Sequence, residues 1–227
     1  LDAAQAVIEE AIELCKQAES IASLLVLFWV YAIQVRIFLS RTEMDAACSA
    51  LQQLKQVSMR LNQPTSSYFH ALFTTVDQVR LWLACGEVDQ ATHWVEELDI
   101  REQSSTPFGH EREEVACARV LLATAQPDGA LQRLVPVLQR AAEGQRWGHV
   151  IEIRLLQALA YHMCHKERQA LDILSEAVRL AEPEGYIRSF IDEGALMEHL
   201  LSRLREEHGR YGPTPYLDTI LAAFSQH

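Results

Sequence analysis

Glycine and proline are scarce in this sequence, whose 227 residues include nine glycines and seven prolines. Most of them lie between runs of roughly 15 to 20 residues in which apolar positions recur at i, i+3, i+4 and i+7, the spacing of an amphipathic helix. No run shows the alternation of apolar and polar residues that is typical of a half-buried strand. The pattern therefore predicts an all-α fold and excludes a β-rich one.

Cysteine is also sparse, and its positions do not suggest pairing. The five cysteines lie far apart, no two have the C-x-x-C spacing, and five is an odd number. Such a set is unlike a disulfide framework, so we expect a reducing, cytoplasmic environment. No secretory signal is visible, because the chain begins with an amphipathic run instead of a charged head followed by an apolar stretch.

Basic residues are outnumbered by acidic ones, 20 against 31, which gives a formal net charge of −11. No stretch is dense in lysine or arginine, so nothing in the sequence offsets the repulsion between this acidic chain and a nucleic acid. We therefore expect no direct nucleic-acid contact by this segment.

A long hydrophobic run of the kind that spans a membrane is missing as well. The most apolar segment, from Ile21 to Ile33, is shorter than the roughly 20 residues that a membrane helix needs. We interpret it as a helix that is buried on several sides, and we expect no membrane association.

Motifs for catalysis and cofactor binding are absent. The sequence contains no G-x-x-x-x-G-K-[ST] phosphate loop, no G-x-S-x-G and no G-x-G-x-x-G. The run from His110 to Glu114 lacks the second histidine of a metalloprotease helix, and His162, Cys164 and His165 have no further ligand nearby in sequence. We expect neither an enzyme nor a metal or cofactor site.

A small residue recurs along the chain, at Ala47, Ala91, Ala130 and Ala170. Successive alanines are 44, 39 and 40 residues apart, and each follows a short polar turn and begins a new helix. Positions 12 and 9 residues before each alanine, and 4 and 7 residues after it, are apolar or aromatic in every repeat. These sixteen positions are Val35, Val79, Ala118 and Ala158; Phe38, Trp82, Leu121 and Tyr161; Leu51, Val95, Leu134 and Leu174; and Leu54, Leu98, Val137 and Ala177.

These columns predict a helix pair that is repeated four times. The alanine allows the second helix to approach the first closely, and pairs must stack because one pair cannot bury its apolar face alone. We therefore predict a single tetratricopeptide-like α-solenoid over residues 1–227, a superhelix of antiparallel helix pairs with a period of about 40 residues. Its predicted parts are a half repeat at 1–20, helix pairs at 21–62, 65–100, 107–145 and 147–182, and terminal helices at 183–227. The half repeat suggests a fragment of a longer chain.

The column pattern resembles tetratricopeptide repeats, although the period is longer than that family's repeat of about 34 residues. The stretch from Ala170 into Ala181–Gly194, which reads AEPEGYIRSFIDEG over its last fourteen residues, resembles the final repeat of MalT-like, ATP-dependent regulators of the LuxR group. Members of that family have a nucleotide-binding switch, a winged-helix region, a superhelical sensor and a C-terminal helix-turn-helix. This chain would correspond to the sensor.

The resemblance implies a cytoplasmic bacterial transcription regulator whose sensor binds a small-molecule inducer or a regulatory protein. ATP would bind only in a missing upstream domain, and the sensor would act on the regulator's own missing domains. The alternative is a free-standing scaffold that docks peptides in its groove. A homodimer is a further expectation, because the apolar face of residues 1–14 lacks a partner helix.

Arginine recurs at one column that we expect to face the concave groove. Arg36, Arg80 and Arg119 each lie eleven residues before a repeat alanine. Together they would form a ladder for an anionic or hydroxyl-rich ligand. A second column contributes Trp29 and Phe73 as a stacking wall and continues with Arg112. The alternative is a solvated helix face on which the arginines pair with acids such as Asp77 or Glu114.

The segment from Pro183 to Gly194 is predicted to be mainly structural. Pro183 ends one helix and a glycine allows a tight turn. Tyr186 and Phe190, at i and i+4, would pack on the preceding pair, and Arg188 and Asp192 have the spacing of an ion pair. These four residues are also our candidates for relaying a signal towards a downstream DNA-binding domain.

Overall fold

The computed structural model describes residues 2–17, 20–61, 67–100, 107–207 and 215–225. Within these ranges every regular element is helical, which confirms the predicted all-α fold. The α-helices are α1 (Asp2–Gln17), α2 (Ile21–Ser40), α3 (Met44–Arg60), α4 (Ser67–Ala84), α5 (Val88–Ile100), α6 (Pro107–Ala123), α7 (Pro127–Glu143), α8 (Trp147–Met163), α9 (Glu167–Ala181), α10 (Ile187–Ile191), α11 (Ala195–Glu206) and α12 (Pro215–Phe224). A single 3-10 turn, Glu182–Glu184, lies between α9 and α10.

Six of the turns that end these helices share one geometry. In each, one residue has a positive φ, and the N–H of the next residue donates a hydrogen bond to the carbonyl oxygen five residues earlier, as in a Schellman cap. The Glu43 N–H, for example, donates to the Phe38 oxygen at 2.9 Å. The positive-φ residues are Thr42, Gly86, Ala125, Gln145, His165 and Gly185. Four of the six are not glycine, so a search of the sequence for glycine caps does not find these turns.

The repeat alanines occupy the places that the sequence predicted for them. All four alanines are fully buried, and so are the residues twelve positions before them. The bulky residues nine positions before them are half-buried, as expected for side chains at the edge of a helix pair. Each of the four predicted pairs contains two helices, from α2 with α3 to α8 with α9. The helices are therefore packed through small residues at closely matched positions.

Contacts group the chain into two compact units, an N-terminal unit (Leu1–Ala116) and a C-terminal unit (Cys117–His227), with the division inside α6. The core of the N-terminal unit contains Phe28, Val35 and Leu54, which are fully buried. In the C-terminal unit, α11 packs on α8 and α9, and α10 packs on α8, α11 and α12. The terminal helices are thus part of the C-terminal unit, because they share its buried side chains.

Helix α2 is apolar on nearly every side. Among the described helices it is the one that passes a length and composition criterion for a membrane span, which core helices also pass. One face packs against α1, α3 and α4 and buries Phe28 and Tyr31. Another face is exposed, so the prediction of burial on several sides is wrong for that face. We call its exposed large apolar residues the α2 stripe: Ile21, Leu25, Val26, Trp29 and Ile33.

Candidate functional site

Three of the predicted arginines gather around one carboxylate in the N-terminal unit. Asp77 on α4 is almost fully buried, and the guanidinium groups of Arg36 on α2, Arg112 on α6 and Arg80 on α4 all act on its charge. Asp77 and Arg80 are three residues apart and so lie on one face of α4. We call these four residues the arginine cluster. It joins side chains from three successive repeats.

The Arg36–Asp77 contact is an ion pair rather than a hydrogen bond, because 3.7 Å separates Arg36 Nε from Asp77 Oδ1. The same Oδ1 atom is buried and accepts no hydrogen bond within the described part of the chain. Burial raises the pKa of Asp77, and the charges of Arg36, Arg112 and Arg80 lower it by less, so that the pKa stays above its ordinary value. The arginines therefore compensate only part of the cost of burying this carboxylate.

One member of the arginine cluster is close in sequence to the exposed residues of α2. Arg36 is 48% exposed and lies three residues after Ile33, the last residue of the α2 stripe. Trp29 is 41% exposed, and its ring meets Phe28 edge-on with 5.5 Å between ring centroids. Arg80 is half-buried and Arg112 is buried. The side chain of Phe73, the other predicted aromatic, lies outside the described residues.

Arg119, the third arginine of the predicted ladder, has a different environment in the C-terminal unit. Its Nη1 and Nη2 donate to both oxygens of Glu193 at 2.9 and 2.7 Å, and Nη2 also donates to Glu152 Oε1 at 2.9 Å. The three side chains are 12%, 7% and 20% exposed. The alternative interpretation of the column predicted pairing with acids such as Asp77 or Glu114. It did not predict Glu193 or Glu152 as partners.

Opposing effects act on the Arg119 guanidinium. Burial by itself lowers its pKa, and the charges and hydrogen bonds of Glu193 and then Glu152 raise it by more, so the pKa lies above its ordinary value. Arg119 is therefore charged at any pH at which the protein folds. A signal for one partner was in the sequence: Glu152 lies in the same repeat column as Trp29 and Arg112. No local signal marks Glu193, which is 74 residues away from Arg119.

The segment from Pro183 to Gly194 makes the contacts that were predicted for it. A Cβ atom on Gly148, in the first turn of α8, would lie 3.4 Å from the Tyr186 hydroxyl oxygen, so the tyrosine packs against the glycine backbone. Phe190 has no exposed surface. Arg188 Nε lies 2.7 Å from Asp192 Oδ1. A role for these residues in signal relay stays a prediction.

His162 and His110 each lie next to a glutamate of the same unit. His162 Nδ1 hydrogen-bonds Glu167 Oε2 at 2.8 Å, and its ring centroid lies 6.1 Å from that of His199. His110 Nδ1 is 3.9 Å from Glu114 Oε1. Across the described ranges, no three histidine, cysteine, aspartate or glutamate side chains are grouped as metal ligands.

Comparison with known families identifies a match over most of the chain. The family model described as the MalT-like TPR region matches residues 1–207, which is most of the chain. No curated protein matches the sequence.

Proposed function

This chain belongs to the family of MalT-like TPR regions, and from that premise we propose that it is the sensor of a bacterial LuxR-group transcription regulator. In this proposal the chain binds a small-molecule inducer or a regulatory protein and performs no reaction itself. ATP hydrolysis and DNA binding belong to other domains of the full-length regulator. The sensor acts in the cytoplasm.

The observation that carries the proposal is the arginine cluster. Arg36, Arg80 and Arg112 come from three successive repeats, and all three act on the charge of the buried Asp77 carboxylate. Arginine offers several N–H donors in a planar fork, which suits carboxylate, phosphate and hydroxyl groups of a ligand. Because the donors lie on different helices, a ligand that engages two of them would favour one relative placement of those helices. That preference is the property a sensor needs.

Ligand binding would control the regulator through differential affinity. A ligand shifts the balance between the resting state and the ATP-bound, oligomerising state only by as much as it binds one state more tightly. The cluster can supply such a difference, because charge-assisted hydrogen bonds weaken steeply when their geometry is lost. No covalent step is required.

The test uses the full-length regulator and a transcription reporter. A thermal-shift screen of small anionic and polyhydroxylated metabolites would first identify an inducer. We expect Arg36→Gln together with Arg80→Gln to weaken the response to that inducer by roughly a hundred-fold or more, since each lost charge-assisted hydrogen bond costs about 1.5–3 kcal/mol and about 1.4 kcal/mol is ten-fold. The control is Arg60→Gln, which replaces an exposed arginine on α3 of the same unit. Full induction by the double variant would contradict the proposed site.

The parent gene tests the wider assignment. We expect a phosphate loop upstream of this segment and a helix-turn-helix within roughly 100 residues after His227, the size of one domain. A reading frame with neither would instead support the free-standing peptide-docking scaffold.

A further inference from the structure

The α2 stripe has the regularity of a packing surface. Ile21, Leu25, Trp29 and Ile33 recur every four residues and form one ridge along the helix, and Val26 belongs to the neighbouring ridge. The ridge is about 18 Å long at 1.5 Å per residue. All five side chains are between 39% and 61% exposed, and Ile21 is the most exposed. Monomeric proteins rarely expose a continuous apolar ridge of this length without using it.

One charged residue lies on the helix that carries this surface. Arg36 is the one charged residue in the twenty residues of α2, and three residues separate it from Ile33, so both lie on the same side of the helix. Its ion-pair partner Asp77 is buried, whereas about half of the Arg36 side chain is exposed. The stripe therefore presents apolar side chains along its length and a positive charge at its C-terminal end.

We propose that the α2 stripe is the docking surface for an amphipathic helix of a partner protein that carries carboxylates at the end facing Arg36. The proposal rests on the proposed sensor function, and it names a helix of a partner protein as what binds at the α2 stripe. The apolar residues of the partner would pack between the two ridges of α2, the commonest way in which helices meet. The partner's carboxylates would pair with Arg36, which fixes the direction of the bound helix.

Other occupants fit the surface less well. The sequence of α2 has no aspartate or glutamate, so two copies that face each other through α2 would bring two arginines into the interface without an anion on either helix. An anionic membrane surface would repel a chain with a net charge of −11. A small molecule favours a concave pocket lined by several elements, whereas the residues of the stripe all belong to one helix.

Direct binding of a defined peptide tests the proposal on the purified chain. The probe is a fluorescent amphipathic peptide of about 20 residues, with leucines at i, i+3, i+4 and i+7 spacing and glutamates in one terminal turn. A matched peptide has glutamine in place of each glutamate. We expect saturable binding of the acidic peptide by fluorescence anisotropy. The glutamine peptide should bind roughly two- to five-fold more weakly, the effect of one partly exposed ion pair.

Variants of the chain separate the apolar and charged contributions. Trp29→Ala should weaken binding of both peptides on the order of ten-fold, as for a central aromatic anchor. Arg36→Gln should weaken binding of the acidic peptide alone and so abolish the difference between the two peptides. The control is Met59→Gln, which removes an exposed apolar side chain on α3. All three positions are substantially exposed, so each variant is expected to fold.

Several outcomes would overturn the proposal. One is that neither peptide binds; another is that Trp29→Ala binds as tightly as the unmodified chain. Sedimentation of a dimer that Trp29→Ala converts to monomer would assign the stripe to a second copy. Co-sedimentation with phosphatidylcholine vesicles that depends on Trp29 would assign it to lipid. The reporter test shares Arg36 with this one, but it also replaces Arg80 and measures induction by a small molecule, so failure of peptide binding here leaves the sensor assignment standing on its own experiment.

Discussion

Arg119 and Glu193 are 74 residues apart in sequence and form a two-fold hydrogen-bonded ion pair in the C-terminal unit. Glu193 lies two residues after the end of α10, so the pair ties the segment before Gly194 to helix α6. Glu152 on α8 accepts a further hydrogen bond from the same guanidinium. One buried arginine therefore joins two helices to the terminal segment.

Removal of the Arg119 charge is predicted to destabilise the protein strongly. Arg119→Met would leave Glu152 and Glu193 as neighbouring, poorly exposed carboxylates, and breaking a buried pair from one side costs about 3 to 5 kcal/mol. Urea unfolding of the variant at neutral pH measures this change. If Glu152→Gln and Glu193→Gln are added, most of the loss should be recovered, because no buried charge then lacks a partner. A loss that persists unchanged would show that packing, and not charge, is responsible.

Asp77 is predicted to make stability fall as the pH rises. Its pKa is higher in the folded than in the unfolded chain, so between these two pKa values the folded state binds more protons. The contribution is favourable below the unfolded value, near 3.9, and is lost as the pH rises through the folded value. Asp77→Asn cannot titrate, so the difference in unfolding free energy between the variant and the parent chain should grow in the variant's favour over this range. Urea unfolding from pH 4 to pH 8 on both proteins gives the comparison, and a difference that is constant with pH would contradict the direction of the shift.

The non-glycine turns offer a stabilising substitution. Ala125 has a φ of 56°, a backbone region that costs an alanine roughly 1 to 2 kcal/mol and a glycine almost nothing. Because glycine also makes the unfolded chain more flexible, we expect Ala125→Gly to add about 0.5 to 1 kcal/mol to the unfolding free energy. Ala123→Gly is the matched control two residues earlier, at the end of α6, where the helical backbone should make glycine destabilising by about 1 kcal/mol. Equal effects of the two substitutions on the melting temperature would argue against the left-handed turn.

Local patterns explain how much of the fold could be predicted. Helix periodicity depends on neighbouring residues, and the repeat alanines mark close approach wherever they occur, so the helix pairs and their buried columns were predictable. The Arg188–Asp192 pair was also predictable, because its two residues are one helical turn apart.

The candidate site was predictable only as a set of positions. Arg36, Arg80 and Arg119 occupy one column, yet Arg36 remains half exposed while Arg119 is held between two carboxylates. A repeat column specifies where a side chain begins but not which charges from distant segments reach it. Asp77 appeared in the sequence only as one of two acids near the column, and its burial places it at the centre of the cluster.

The sequence by itself determined the all-α repeat, its helix pairs and the family to which the chain belongs. Helical periodicity and the spacing of small residues depend on residues that are close together along the chain. Tertiary structure decided which carboxylates reach each arginine and which face of α2 is exposed. Helix α2 is apolar nearly all round, so its composition cannot distinguish a buried face from an exposed one. Only the packing of α1, α3 and α4 against one side of it makes that distinction.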